Sequence, residues 1–118
     1  MIAHAVFDDA LACVIREASR LDICSSAPLS YADVVKSSLG HKSVPHMSGP
    51  VDVPGGRAAV VGAIDDGTVT GKGSAKYWCL TGNGRLLACE SLGNKDPIIL
   101  IPGISFTLPT IHVRLVNP

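Results

Sequence analysis

Four histidines, four cysteines and a few hydroxyl and carboxylate groups are the residues of this chain whose types could carry chemistry. A metal centre needs ligands at close spacing or on a shared element. His41 and His46 stand near Met47 in a stretch dense in proline and glycine. As solvated loop residues they would hold a metal only weakly. His4 and His112 stand alone, and no H-E-x-x-H pair is present. Cys13, Cys24, Cys79 and Cys89 include no C-x-x-C pair. An even count permits two disulfides, but the start of the chain has no basic n-region and carries Asp8 and Asp9 within its apolar pattern, so it does not read as a secretory leader. Free buried thiols are therefore expected.

A hydrolase would need a nucleophile, a base and an orienting acid. Ser74, His112 and Asp65 supply the types, but nothing in their spacing groups them. Asp65 and Asp66 precede Gly67, which reads as a turn, and adjacent turn carboxylates need not face one cleft. V-P-G-G-R-A and G-T-V-T-G-K-G-S are glycine-rich and carry Arg57 and Lys72. Neither has the G-K-[ST] of a phosphate loop or a helix following it. The chain is expected to be non-enzymatic, with no cofactor and no metal.

The elements that must position these residues are mostly strands. Phe7, Leu11, Val14, Ala18 and Leu21 recur at helical steps, which predicts an N-terminal helix over residues 1–21, with Asp8 and Asp9 early and Arg16 late as the helix dipole favours. Leu21 and Ile23 alternate with Asp22 and Cys24, the pattern of a short strand overlapping the helix end. Ser30 can cap a short helical turn from Tyr31. Residues 41–56 hold Pro45, Pro50, Pro54 and three glycines, which predicts a loop and a candidate contact arm. Residues 57–116 form a β-rich core. There R-A-A-V-V-G-A-I, A-K-Y-W-C-L-T and R-L-L-A-C-E read as strands, with Asn83-Gly84 as a type I′ hairpin centre. P-I-I-L-I-P is a compact apolar strand, and I-S-F-T-L-P-T-I-H-V-R-L-V alternates on both sides of a break at Pro109. Tyr77 and Trp78 must point to opposite faces of their strand. The expected fold is mainly β: one domain over residues 1–118, a small two-sheet β-sandwich or partly closed barrel with an N-terminal α-helix.

Ten basic residues balance ten acidic ones, and charged residues make up only 17% of the 118, against a typical share of about 25%. No basic run supplies the phosphate neutralisation that nucleic acid requires, and no apolar run is long enough to span a membrane. A neutral, charge-poor surface lacks electrostatic protection against association. A homo-oligomer is thus the expectation, with protein contacts as the mode of action. A small carbohydrate- or peptide-binding module is the competing reading, and it requires Trp78 or Tyr77 to face solvent beside polar groups.

The order of segments resembles a group of small virion structural proteins of tailed bacteriophages. The resemblance runs over most of the chain. It is carried by the helix followed by R-L-D-I-C-S-S-A-P-L-S-Y-A-D, then G-G-R-A-A-V-V, G-T-V-T-G-K-G-S-A-K-Y-W-C-L-T, R-L-L-A-C-E and P-G-I-S-F-T-L-P-T-I-H-V-R-L, with Gly103 as a turn glycine. It implies a protein made in the host cytoplasm and located in the virion. Its role would be capsid decoration, or that of a neck or tail accessory protein. Its partners would be its own copies and the major capsid or tail protein. Tyr31, Arg57, Tyr77, Trp78 and Phe106 are the residues expected to make structural or interface contacts.

Overall fold

The computed structural model describes residues 1–118. Helix α1 spans His4–Glu17, strand β1 Arg20–Cys24 and helix α2 Tyr31–Ser37. Strands β2 (Ser38–Ser43), β3 (Met47–Val53), β4 (Gly56–Val61), β5 (Ile64–Val69) and β6 (Gly73–Ala75) follow. The chain ends with β7 (Tyr77–Gly82), β8 (Arg85–Ser91), β9 (Ile98–Leu100), β10 (Ser105–Leu108) and β11 (Ile111–Val116). Six strands form an antiparallel sheet in the order β10-β5-β2-β1-β7-β8. Strands β11-β4-β3 form a second antiparallel sheet, and β6-β9 a third, two-stranded one. The protein is thus mainly β with an N-terminal helix, in three sheets that do not close into a barrel. The third sheet is an addition to the two expected.

One core joins these layers. Leu21, Ile23, Trp78 and Leu80 of the large sheet meet Ala59, Val61 and Val113 of the three-stranded sheet, with Leu11 of α1 among them. Strand β7 is buried on both faces. Trp78 and Leu80 enter this core, while Cys79 packs with Cys24 and Val34 under α2.

Several local expectations hold at the level of single residues. The Ser30 hydroxyl accepts a hydrogen bond from Asp33 N at 3.3 Å and caps α2. Asn83 and Gly84 both have positive φ, 53° and 69°, and close the β7–β8 hairpin as a type I′ turn. Strands β10 and β11 are separate, with Pro109 between them.

Three expectations are corrected. The helix stops at Glu17, not residue 21, because Arg20–Cys24 gains ladders to both β2 and β7 as a central strand. Because the helix starts at His4, its first turn holds no acidic residue, and Asp8 instead accepts a hydrogen bond from Arg57. Residues 41–56 are not a loop: they contain the end of β2 and all of β3. β3 is an edge strand whose register slips between Ser48 and Val51, so Pro50 sits where no ladder donor is needed. Finally, Asp65-Asp66-Gly67 lies inside β5. The β10–β5 register shifts opposite this segment, and the extra residue leaves both aspartates in solvent while Ile64 and Gly67 face inward.

Candidate functional site

The sheets end at two unpaired edges that face the same space. β8 is the last strand of the six-stranded sheet, and β11 is the last strand of the three-stranded one. Between them lies a groove of about 350 Å³, floored by Ala10, Leu11 and Val14 of α1 and by Trp78. Leu87 and Ala88 form the β8 wall, Val113 and Leu115 the β11 wall, with Glu90 and Arg114 as its charged members. Past Trp78 the depression continues into a space of about 250 Å³ lined by Leu92, Ile98, Leu108 and Ile111. Alternation places the walls: Val113 and Leu115 turn inward from β11, and Glu90 stands opposite Trp78 in register on β8.

A second, polar pocket of about 280 Å³ lies at the end of β7. Ser74, Lys76, Tyr77, Ser91, Asn94, Lys95 and Asp96 line it with Pro97. A third, also about 280 Å³, lies between α2 and the outer face of the large sheet. Its centre is Asp22, which is buried and accepts two hydrogen bonds from Arg20, Nε at 2.9 Å and an Nη at 3.1 Å, and one from Ser38 Oγ at 2.6 Å. Tyr31, Val35 and Thr81 complete its wall. His41 stands opposite Asp22 in register, and its buried Nδ1 has no hydrogen-bond partner.

The five residues singled out in the sequence separate into two groups. Trp78 is 4% exposed and belongs to the core, touching solvent space only as part of the groove floor. Phe106 is buried with its ring against Gly67. Arg57 is engaged within the chain. Its Nε donates to Asp8 at 2.8 Å, one Nη to Asp52 at 2.7 Å and the other to Pro50 O at 3.3 Å, which ties α1 to the β3–β4 hairpin. These carboxylates raise the guanidinium pKa above its ordinary value. Tyr31 is exposed at the start of α2, and Tyr77 is half-buried in the polar pocket. Arg57, Trp78 and Phe106 therefore make internal contacts, with Arg57 still partly exposed like Tyr77, and Tyr31 is the most exposed of the five.

The chemical candidates do not converge. Ser74, Asp65 and His112 lie on β6, β5 and β11, in three different sheets, with no hydrogen bond among them. No three of the His, Cys, Asp and Glu side chains are placed to hold a metal ion. All four cysteines are free; Cys24 and Cys79 are buried as expected, whereas Cys13 is half-buried and Cys89 exposed. Cys89 misses burial because it sits on the edge strand β8, where its thiol donates weakly to Pro28 O at 3.9 Å. No helix is long and apolar enough to cross a membrane.

The groove and the Asp22 pocket were not visible in the sequence. The groove is made by two strands distant in the chain, and alternation in each identifies an inward face without saying that the two edges stay apart. Neither a family model, nor a curated protein, nor a solved structure matches this chain.

Proposed function

We propose that this chain is a non-enzymatic virion structural protein of a tailed phage, which decorates or stabilises the capsid by binding its own copies and the major capsid protein. The observation that carries the assembly half is the apolar groove bounded by the free edges of β8 and β11. An unpaired edge presents a row of backbone donors and acceptors, and an apolar groove beside it invites a covering segment. Partner binding satisfies both at once. The phage half rests on the resemblance of the segment order, which also accommodates a neck or tail accessory role with a tail protein as partner. Mass spectrometry of purified particles tests the reading together with sedimentation of the isolated protein. A fixed copy number per particle is expected. Recovery only from cell lysate, never from particles, would remove the virion assignment.

The polar pocket supports a second reading, a small carbohydrate- or peptide-binding module. The burial of Trp78 removes the indole as its platform, but Tyr77 stands half-exposed beside Ser74, Asn94 and Asp96. Titration with oligosaccharides, followed by the chemical shifts of Tyr77 and Asn94, separates the two. Saturable shifts at these residues would favour the binding module.

A further inference from the structure

We propose that Cys89, Cys79 and Cys24 form a thiol relay, in which the exposed Cys89 reacts with a low-molecular-weight disulfide from solvent and passes the oxidation inward, through Cys79, to a buried Cys24–Cys79 disulfide. The relay belongs to the single chain and does not depend on the assembly reading above.

The three thiols stand in a row on the face of the large sheet that α2 covers. Strands β1, β7 and β8 are successive neighbours, and Cys79 lies on the middle one. Cys79 is the register partner of Cys89 on one side and of Asp22 on the other, and Cys24 follows Asp22 by two residues on the same face. The buried sulfurs of Cys24 and Cys79 are 3.6 Å apart. Leu92 N donates to Lys76 O, which makes Trp78–Glu90 and Leu80–Ala88 the hydrogen-bonded pairs of the β7–β8 ladder and Cys79–Cys89 a non-hydrogen-bonded one. Side chains approach most closely in such a pair, with Cα atoms about 4.5 Å apart, a separation that a disulfide spans. The Cys89 sulfur is held only by its weak contact to Pro28 O, so rotation about its Cα–Cβ bond can turn it toward Cys79. Cys79 is thus the thiol with a partner on each side.

Each step is a thiol–disulfide exchange. Cys89 attacks a disulfide RSSR and becomes Cys89–S–S–R, while RS⁻ leaves with the Cys89 proton as RSH. Because β8 is the last strand of its sheet, the R group has solvent beside it. Cys79 then attacks the Cys89 sulfur. The second RS⁻ leaves with the Cys79 proton, and a cross-strand Cys79–Cys89 disulfide forms. Cys24 attacks the Cys79 sulfur, and Cys89 departs with the Cys24 proton. Two thiols are oxidised to one disulfide, RSSR is reduced to two RSH, and Cys89 is regenerated. The direction of the last step has a physical cause. The Cys79 S–H donates to the Cys24 sulfur and holds the Cys24 thiol below its ordinary pKa, so Cys24 is the better supplied with thiolate of the buried pair. The Cys79 thiolate is scarce, which makes its attack the slow step, carried by the proximity of a disulfide on the facing strand.

Reduced protein incubated with oxidised glutathione, quenched in acid and mapped by non-reducing peptide mass spectrometry tests the relay. A glutathione adduct at Cys89 should rise and decay. Linked Cys24 and Cys79 peptides should replace it, with Cys89 free again. Cys89→Ser should form the Cys24–Cys79 link at least about tenfold more slowly, because the buried pair loses its intramolecular route. Position 89 is exposed, so this variant leaves the core intact. Cys24→Ala should stop at the Cys79–Cys89 disulfide. If that variant does not fold, the comparison of wild type with Cys89→Ser decides by itself. Wild-type protein that stops at the Cys89 adduct, or at Cys79–Cys89, would overturn the relay. Equal rates of Cys24–Cys79 formation with and without Cys89 would overturn it too, since oxidation would then reach the pair by opening of the fold.

Discussion

The ring of Phe106 lies over Gly67 and occupies the space that a side chain at position 67 would need. The two residues are register partners on β10 and β5, and the absence of a Cβ is what lets the phenyl ring lie against the strand. Phe106 then joins the shared core from a strand at the sheet's edge. Gly67→Ala is expected to destabilise the fold by about 1–3 kcal/mol, the range for overpacking a closed contact. Urea unfolding followed by Trp78 fluorescence measures it. An unchanged midpoint would show that the ring can move aside without loss.

Arg57 joins α1 to the β3–β4 hairpin through a three-way clamp. Its planar fork reaches Asp8, Asp52 and Pro50 O together, which the single ammonium of lysine cannot reproduce. Arg57→Lys should lower the unfolding midpoint, and Arg57→Ala should lower it further. Introducing Asp8→Asn should remove most of the difference between the wild type and the Arg57→Lys variant, because Asp8 is the only one of the three partners on α1. Additivity of the Arg57→Lys and Asp8→Asn effects in a double-mutant cycle would mean that the pair is not coupled.

Local chemistry made much of this fold legible. Asn83-Gly84, the Ser30 cap and the alternation of Ile111 to Leu115 each depend on neighbours in sequence, so a short window contains the physics. The failures share the opposite property. Asp65-Asp66-Gly67 has turn composition, but its conformation is set by Phe106 across the sheet. Pro50 argues against a strand until β3 is known to be an edge. The groove and the Asp22 pocket depend on which strands end a sheet and where α2 lands, and these are relations among distant segments. Trp78 illustrates both sides: its opposition to Tyr77 follows from strand geometry, whereas its place in the groove floor requires β8 and β11 to stand apart.

Asp22 is held by Arg20 and Ser38 on a face that α2 covers. A carboxylate removed from water is tolerated only when it is paired and hydrogen-bonded, and these three hydrogen bonds, two of them from a guanidinium, engage both of its oxygens. Asp22→Ala should cost about 2 kcal/mol by removing the charge-assisted hydrogen bonds to Arg20 and Ser38. Ser38→Ala should cost less, because the Arg20 fork remains. Chemical denaturation of both variants checks the order, and a larger loss in Ser38→Ala would contradict it.

The thiols should separate by reactivity. Cys89 is exposed on an edge strand, Cys13 is half-buried and donates to Glu17 at 2.8 Å, and Cys24 and Cys79 are buried side by side with their sulfurs 3.6 Å apart. The Cys24 sulfur and burial push the Cys79 thiol far above its ordinary range, so its thiolate is scarce in the folded protein. Alkylation followed by peptide mass spectrometry should modify Cys89 first and Cys13 next. Cys24 and Cys79 should react only on unfolding. Modification of Cys79 at the rate of Cys89 in native protein would contradict the packing under α2.

Glu17 gives the fold a defined acid sensitivity. The Cys13 thiol, the Asn83 amide and the Arg85 guanidinium all donate to its carboxylate, at 2.8, 3.1 and 2.7 Å, and hold its pKa down from 4.5 to about 2. A carboxyl group whose pKa is lower folded than unfolded favours folding above the unfolded value and loses that contribution as pH falls through the folded one. The stabilisation is therefore complete above about pH 4.5 and absent below about pH 2. Glu17→Gln should be less stable than wild type at neutral pH, with the gap narrowing through this window and closing at its acid end. The contacts join the last turn of α1 to the β7–β8 hairpin, so amide exchange at Asn83 and Gly84 should rise in the variant at neutral pH and converge with wild type in acid. Unfolding midpoints of the two proteins measured across that window check the sign. A gap that stays constant with pH would mean that Glu17 stabilises the junction by packing and not by its charge.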